Sequence, residues 1–338
     1  MLISIIVPVF NRADEIDNFL ASFLNQNEAE FEVIIVDDGS TDNLKDVIQK
    51  YAQELKITYY FQQNQGPGAA RNLGMSKASG DYYVFIDSDC TVPENYIKNL
   101  ITHISEDEFD AFGGPDTYLP DFPPFLKAVN YSMTSFLGTG GTRGSKGKSV
   151  AKYYPRSFNM GIKKEVYKKI GGMNKLRHGQ DMDFSNRIYK AGFKVKYLHD
   201  VLVYHKRRTS PRRFFKQIFN WGVARINLGR IDKNMLKPVH CLPFVILMGF
   251  ILTFFLMLFM PYFKVLFKFE LFLTALLAVI AFIQSLVEYR QFSVAIYSII
   301  TIYLQIIGYG LGFGYGLLKS LTGGKKGFIN GFTRNYYK

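Results

Sequence analysis

The sequence predicts an α/β domain with a mostly parallel central sheet, followed by a basic amphipathic segment and about three transmembrane helices. Three observations carry this. Short β-branched and aromatic runs alternate with helix-like segments over residues 1–205. Residues 206–237 hold ten lysines and arginines against one acid, Asp232. Residues 238–318 are mostly Leu, Ile, Phe, Val and Tyr. A mean hydropathy near zero is therefore the average of two unlike parts.

Residues 3–9, 32–37, 57–61 and 82–86 are the strand-like runs, with helices expected near 14–26, 42–55 and 67–79. Asp14 and Thr41 or Asp42 suit N-caps, and Pro67 suits a first helical turn. Such alternation predicts a parallel sheet covered on both faces. Ligands of such sheets bind at the carboxyl ends of the strands. Asp37-Asp38 closes the second strand and Asp87-Ser88-Asp89 the fourth, so both acidic pairs fall on one edge. Further on, 121–137, 163–170 and 178–191 read as helices, and 194–198 and 201–205 as strands. Residues 138–149, GTGGTRGSKGKS, are Gly-rich and basic, which predicts a mobile loop.

The apolar runs 238–262, 269–287 and 292–318 approach or exceed the roughly 20 residues that span a bilayer, so three membrane helices are expected. The basic stretch before Pro238 belongs on the cytoplasmic side. Three crossings, the expected number, then put the tail outside, although it carries Lys319, Lys325, Lys326, Arg334 and Lys338. Span count and charge rule disagree at this point.

Other classes are excluded. Cys90 and Cys241 form no CxxC pattern, which argues against a disulfide scaffold or zinc site and suits a reducing compartment. MLISIIVPVFNR has no basic region before its apolar run and reads as a first strand, not a signal peptide. The net charge of +13 is concentrated beside the apolar runs, which favours anionic lipid over nucleic acid. TRGSKGKS departs from a P-loop at Thr142, and GPGAAR departs from G-x-G-x-x-G at Arg71.

The segment YYVFIDSDC drives two carboxylates to the end of a strand built for burial. A buried charge needs water or a cationic partner. Asp-x-Asp alone is also a common solvated turn, but here it has company. VPVFNR (7–12), VDDGSTD (36–42), NQGPGAARN (64–72), GDYYVFIDSDC (80–90) and GQDMDFSNRIYKAG (179–192) occur in this order. Over residues 1–205 the chain resembles the inverting family 2 glycosyltransferases of GT-A nucleotide-sugar-binding fold.

The resemblance implies a nucleotide-sugar donor, UDP-linked by preference, and Mg2+ or Mn2+ as cofactor. A hard divalent cation held by carboxylates and phosphates neutralises the leaving diphosphate. By resemblance Asp89 binds the metal, and Asp87 faces the donor sugar, the ribose or a metal-bound water. Asp38 accepts from the base, Pro8 and Phe10 line the base pocket, and Arg71 lies near the donor. His205 is either a metal ligand or structural. Asn159 either touches the donor sugar or braces the backbone. The family's Glu-Asp pair is Gln180-Asp181 here, so Asp181 is the expected base and Gln180 an uncharged acceptor contact. Asp183 reads as a cap or a brace, such as a partner for Arg187. Lys206, Arg207 and Arg208 face donor phosphates, a lipid pyrophosphate or headgroups. Gln217 to Trp221 resembles the Gln-x-x-Arg-Trp motif of processive synthases, with Asn220 at the arginine position. Trp221 is either an interfacial anchor or a stacking platform for an acceptor sugar.

The implied function is transfer of a sugar to a lipid-linked or growing polysaccharide acceptor, from the cytoplasmic face of the inner membrane. The alternatives are a polyprenyl-phosphate sugar synthase and a non-catalytic subunit of an assembly complex. No nucleic-acid partner is expected.

Overall fold

The computed structural model describes residues 1–26, 31–139, 153–206, 210–323 and 327–332. The expected loop 138–149 lies outside these residues from position 140 onward, and so do Arg207 and Arg208. By internal contacts the chain forms two units. One is Met1–Leu119, Lys146–Lys206 and Asn335–Lys338; the other is Pro120–Ser145 and Arg207–Arg334.

The first unit opens with β1 (Ile3–Val9), α1 (Ala13–Ala21), β2 (Phe31–Asp37), α2 (Leu44–Gln49), β3 (Ile57–Phe61), α3 (Pro67–Lys77) and β4 (Tyr82–Ile86). Then come β5 (Cys90–Thr91), α4 (Tyr96–Glu106), β6 (Ala111–Gly113) and β7 (Asp116–Thr117). The chain next contributes α5 (Pro124–Thr134) and α6 (Phe136–Thr139) to the second unit. It returns with β8 (Asn159–Lys163), α7 (Lys164–Ile170), α8 (Gln180–Lys190), β9 (Val195–Tyr197) and β10 (Val203–His205).

Seven strands form the main sheet in the order β3-β2-β1-β4-β8-β6-β9, with β8 antiparallel to both its neighbours. The mostly parallel sheet that the sequence predicts is therefore present. All seven residues of β1 and all five of β4 are buried. Their side chains divide by parity. Ile3, Ile5, Val7 and Val9 pack with α1 and α4 residues such as Phe19 and Leu100. Ile6 packs on the other face with Ala70 and Met75 of α3 and Phe184 of α8. Burial on both faces is why these strands read as unbroken apolar runs. Each such side chain contributes about 1.5–3 kcal/mol.

Chain order reverses between β1 and β4, because β2 and β3 extend the sheet one way and β4 adds on the other side of β1. That reversal opens a crevice at the carboxyl ends. A small second sheet, β5-β10-β7, stands after β4. The expected caps shift slightly. Asp14 falls inside the first turn of α1 behind Arg12, and Asn43 precedes α2. Pro67 opens α3 as expected, after Gly66 at φ 91°.

The second unit gathers α5 and α6 with α9 (Pro211–Ile231), α10 (Leu242–Phe259), α11 (Phe263–Tyr289) and α12 (Phe292–Thr322). Pro238–Phe259, Phe263–Tyr289 and Phe292–Thr322 are long and apolar enough to cross a membrane. Helix α12 packs against α9 along much of its length. A Cβ on Gly312 would lie 2.0 Å from the Phe219 carbonyl, so the two backbones meet. Eight of the eleven residues of α5 are buried.

At the opposite edge of the sheet from the crevice, Glu32 ties three segments. Its Oε1 accepts from Ser4 Oγ (2.7 Å), Ser79 N (2.9 Å) and Ser79 Oγ (2.8 Å). Burial pushes its carboxyl up, but the Ser4 and Ser79 bonds and the Lys56 charge outweigh this and hold it below the usual range. Its contribution is thus present above the unfolded pKa of about 4.3 and is lost as pH falls through the lower folded value. Glu32→Gln is expected to lower the melting temperature at pH 7, by the equivalent of about 1.5–3 kcal/mol. Melting curves of both proteins should converge as the buffer is taken below pH 4.

Candidate active site

The end of β1 turns sharply at Asn11, a non-glycine residue at φ 50°. Asparagine tolerates this conformation. Its Oδ1 accepts from Thr41 N (2.7 Å) and its own N donates to Ser40 Oγ (2.8 Å), which stitches the loop after β1 to the loop after β2. Pro8 is buried and Phe10 half-buried at this edge. Asp37 accepts from Ser40 N (2.8 Å) and from Tyr59 Oη (2.7 Å). Burial and that carboxylate push the Tyr59 phenol well up, so it stays a donor.

Asp38 is buried at the end of β2. It accepts from Gln62 Nε2 (2.6 Å), Gln65 N (2.8 Å) and Gly66 N (2.7 Å). A carboxylate takes about four hydrogen bonds. Three of them hold the turn into α3, which leaves one for a further donor.

Asp87 pairs with Arg71 of α3, a side chain only 5 % exposed. Arg71 Nε is buried and has no hydrogen-bond partner among the described residues. Asp89 points elsewhere. Its Oδ2 meets Arg12 Nη1 at 2.7 Å and its Oδ1 lies 3.3 Å from His205 Nε2. His205 Nδ1 is 3.2 Å from Asp116 Oδ2. The small sheet makes this meeting, since Cys90 pairs with His205 and Val203 with Asp116. Burial lowers the imidazole pKa, but the charges of Asp89 and Asp116 outweigh it and push it up to about 9.

A carboxylate, an imidazole and a second carboxylate behind the imidazole form a recurrent metal-ligand pattern. Asp89, Cys90 and His205 each bring a ligand atom within 4.8 Å of the others. Cys90 is the wrong donor. Burial first, then the nearby Asp89, Asp87 and Asp116 charges, push its thiol well up, and a protonated sulfur does not bind a hard cation. Asp89 is a hard oxygen donor that fits Mg2+ or Mn2+, and His205 can join it where the cation displaces the proton that Asp89 and Asp116 hold on the ring.

Asp181 stands in the first turn of α8. Its Oδ1 accepts from Met182 N (2.9 Å) and its Oδ2 lies 3.8 Å from Arg156 Nη1. Gln180 is buried beneath α3, where a Cβ on Gly68 would lie 2.4 Å from Gln180 Nε2. That amide donates to Asn174 O (3.3 Å). Asp183 braces Arg187 at 3.0 Å, as the sequence suggests. Asn159 is fully buried. Its Oδ1 accepts from Tyr96 Oη (2.8 Å) and its Nδ2 donates to Val201 O (2.7 Å) and Pro115 O (3.4 Å). Both amide hydrogens and one lone pair of its Oδ1 are thereby spent on bracing. Trp221 lies in the other unit, on α9, packed against the cluster of Val129, Met133, Phe214 and Ile218.

Sequence reasoning missed Arg12, Asp116 and Arg156. Arg12 sat inside a quoted motif, and its signal was a cation next to an acid-rich edge. Asp116 gave no signal, since it meets His205 only through strand pairing across 89 residues.

Residues 4–192 match the family described as Glycosyl transferase family 2. The chain is 29% identical over 255 residues to the glycosyltransferase AglE of Haloferax volcanii, covering 74% of this chain and 81% of that protein. It is 28% identical over 261 residues to GlyG of Streptococcus pneumoniae, covering 70% and 84%. Matches to uncharacterized glycosyltransferases of Rickettsia span 32% of this chain and 16–18% of theirs. The mannosyltransferase PcManGT of Pyrobaculum calidifontis, solved with GDP-Man and Mn2+, shares the fold at a TM-score of 0.53 and 17% identity, over 90% of this chain and 86% of that one. TarS 1-349 of S. aureus, solved with UDP-GlcNAc, aligns with a TM-score of 0.49 at 23% identity over 67% of each chain. The family match takes in 189 of 338 residues (192 − 4 + 1) and contains Asp38, Asp87, Asp89 and Asp181. This chain belongs to glycosyl transferase family 2.

Proposed function

We propose that this glycosyltransferase is membrane-anchored and inverting, and that it moves a sugar from a nucleotide-sugar donor to a hydroxyl of a lipid-linked or growing polysaccharide acceptor. A UDP-linked donor is preferred on the motif resemblance, and the inner membrane with a cytoplasmic catalytic face is the assigned location. Residues 1–205 form the catalytic domain apart from the α5–α6 excursion. Residues 206–237 form the basic segment, 238–318 the membrane helices and 319–338 the basic tail.

The observation that carries this reading is the grouping of Asp89, His205 and Asp116 after β4. This grouping supports a cation-binding role at the carboxyl end of the sheet, the end at which Asp38 closes β2. A nucleotide-sugar diphosphate needs its charge balanced there. When bound, Mg2+ or Mn2+ at Asp89 and His205 supplies that balance. The Mn2+ found with PcManGT supports the same class of cofactor. Asp38 offers its remaining acceptor capacity to the base. Arg71 holds Asp87 in place towards the donor. Asp181 takes the proton from the acceptor hydroxyl as the hydroxyl attacks the anomeric carbon opposite the leaving diphosphate. Arg156 and the first turn of α8 fix its position. Gln180 and Asn159 act here as positioning residues.

Two outcomes are expected. Asp181→Asn should lower transfer by about 10²- to 10⁴-fold while leaving nucleotide binding intact. Retained transfer to a polyprenyl phosphate would instead mark the lipid-phosphate acceptor, which needs no base. Calorimetry of the detergent-solubilised protein with UDP-, GDP- and dTDP-sugars should find one nucleotide class bound in the presence of Mn2+, with the binding lost in Asp89→Ala. A folded protein that binds none of them would move the assignment to a non-catalytic assembly subunit.

A further inference from the structure

We infer that the chain crosses the bilayer twice, through α10 and α11, and that α12 lies in the membrane surface on the catalytic side, with the tail returned to that side. The inference rests on the membrane-anchored reading above and replaces the three crossings that the sequence predicts.

Both partners of α12 are fixed on the catalytic side by chain continuity. Helix α5 leaves the sheet after β7, and the chain rejoins it at β8. With 11 residues, about 17 Å, α5 is too short to cross. Helix α9 starts six residues after His205 (211 − 205) and carries Arg212, Arg213, Lys216, Arg225 and Arg230. So many charges keep it out of hydrocarbon.

These two helices hold α12 at both ends. Towards its N-terminus, Lys127 Nζ reaches Gln291 Oε1 (3.4 Å), Thr301 Oγ1 donates to Ala128 O (3.1 Å), and Gln305 donates to Gly138 O. Towards its C-terminus, Gly308, Gly312 and Gly316 face Phe215, Phe219 and Ile226 of α9 in register. The tail then doubles back along α9. Asn227 Nδ2 donates to Ile329 O (2.8 Å), Ile329 N donates to Asn227 Oδ1 (2.9 Å), and Phe332 N donates to Asn220 Oδ1 (2.9 Å). A helix of about 46 Å tied at both ends to one side of a bilayer does not cross it.

Burial agrees. The most apolar windows of α10 and α11 are each 6% buried and have mean hydropathy 2.6 and 2.3; that of α12 is 44% buried with mean hydropathy 1.7. Ile296, Ile300, Ile307, Leu311 and Leu318 form one exposed apolar face, as an in-plane helix requires. Helices α10 and α11 form a hairpin instead. Phe267 packs on Phe250 (5.1 Å) and Phe254 (5.7 Å), and Thr253 donates to Glu270. The connection between them carries no charge and leaves Tyr262 89% exposed. Helix α11 ends back at α5, where Tyr289 Oη accepts from Asn130 Nδ2 (2.9 Å). Two crossings also put Lys319 and the basic tail on the side of the 206–237 cluster, which removes the conflict with the charge rule.

The test is cysteine labelling with a membrane-impermeant maleimide in sealed vesicles of known orientation. The background is Cys241→Ser, in which the buried Cys90 should stay silent. Glu94→Cys, Tyr262→Cys and Asn330→Cys are added one at a time at exposed positions. We expect the labels at 94 and 330 from the same side and the label at 262 only from the other. Labels at 330 and 262 from one side, opposite 94, would establish three crossings and overturn the inference while leaving the anchor intact. Labelling of all three from one side, with release of the protein by alkaline carbonate, would overturn the anchor itself. A C-terminal epitope tag read by protease protection gives the same decision if a cysteine variant fails to accumulate.

Discussion

The carboxylate of Asp89 is 8% exposed at the end of a strand whose every residue is buried, and that charge must be balanced where it stands. Arg12 comes to it from the end of β1 and His205 from β10, with Asp116 of β7 behind the imidazole. The main-chain carbonyl of Asp89 accepts from Lys206 N (2.9 Å), so the same residue anchors the chain leaving β10. The three strands β5, β10 and β7 are only two or three residues long. Their service is to bring an acid, an imidazole and a second acid together from positions 89 to 205. The grouping is rigid, because each of the three residues sits on a paired strand or directly before one.

The same economy governs the other wall. Gln180 stands where the family carries a glutamate. It is buried against Gly68 and donates to a carbonyl. A carboxylate in that place would bring a charge under α3 and would have no hydrogen to give Asn174 O. The amide avoids both. It links the start of α3 to the helix that carries Asp181. Arg187 fixes the same helix further along, donating to Ile170 O (2.9 Å) and Gly172 O (2.7 Å) as well as to Asp183.

Much of this is legible in the sequence. The sheet is, because burial on both faces leaves unbroken apolar runs, and strand ends mark the crevice. The positions of Asp38, Asp87 and Asp89 after strands are, and Asp181 stands out through the resemblance to the family's Glu-Asp pair, while the roles given to these acids belong to the proposed function. What stayed hidden depends on pairing across long sequence separations. The Asp116–His205 contact needs β7 beside β10. Asn159 looks like a polar residue next to a site, and only the positions of Tyr96, Val201 and Pro115 show that its amide braces three other segments. Helix α5 reads as a helix from periodicity, yet nothing in its pattern says that Asn130 and Tyr131 bond to Tyr289 and Gln284 of α11.

Helix α12 shows the limit most clearly. Composition reports how apolar a segment is and not what covers it. Ser298, Thr301 and Gln305 are too few to break an apolar run, yet all three are buried and bonded, Ser298 to Ser285 at 2.7 Å. The glycines carry the decisive information in their spacing. Gly308, Gly312 and Gly316 form one row towards α9, and Gly310 and Gly314 a second towards Pro243 and Phe244 of α10. Rows of small residues let backbones meet, and a row on two sides means two helices meet there. One of those helices is the basic α9, which is no partner for a segment surrounded by lipid. The alternation of glycine in GYGLGFGYG thus encodes a helix shared between protein and membrane, and an average over the same residues erases it.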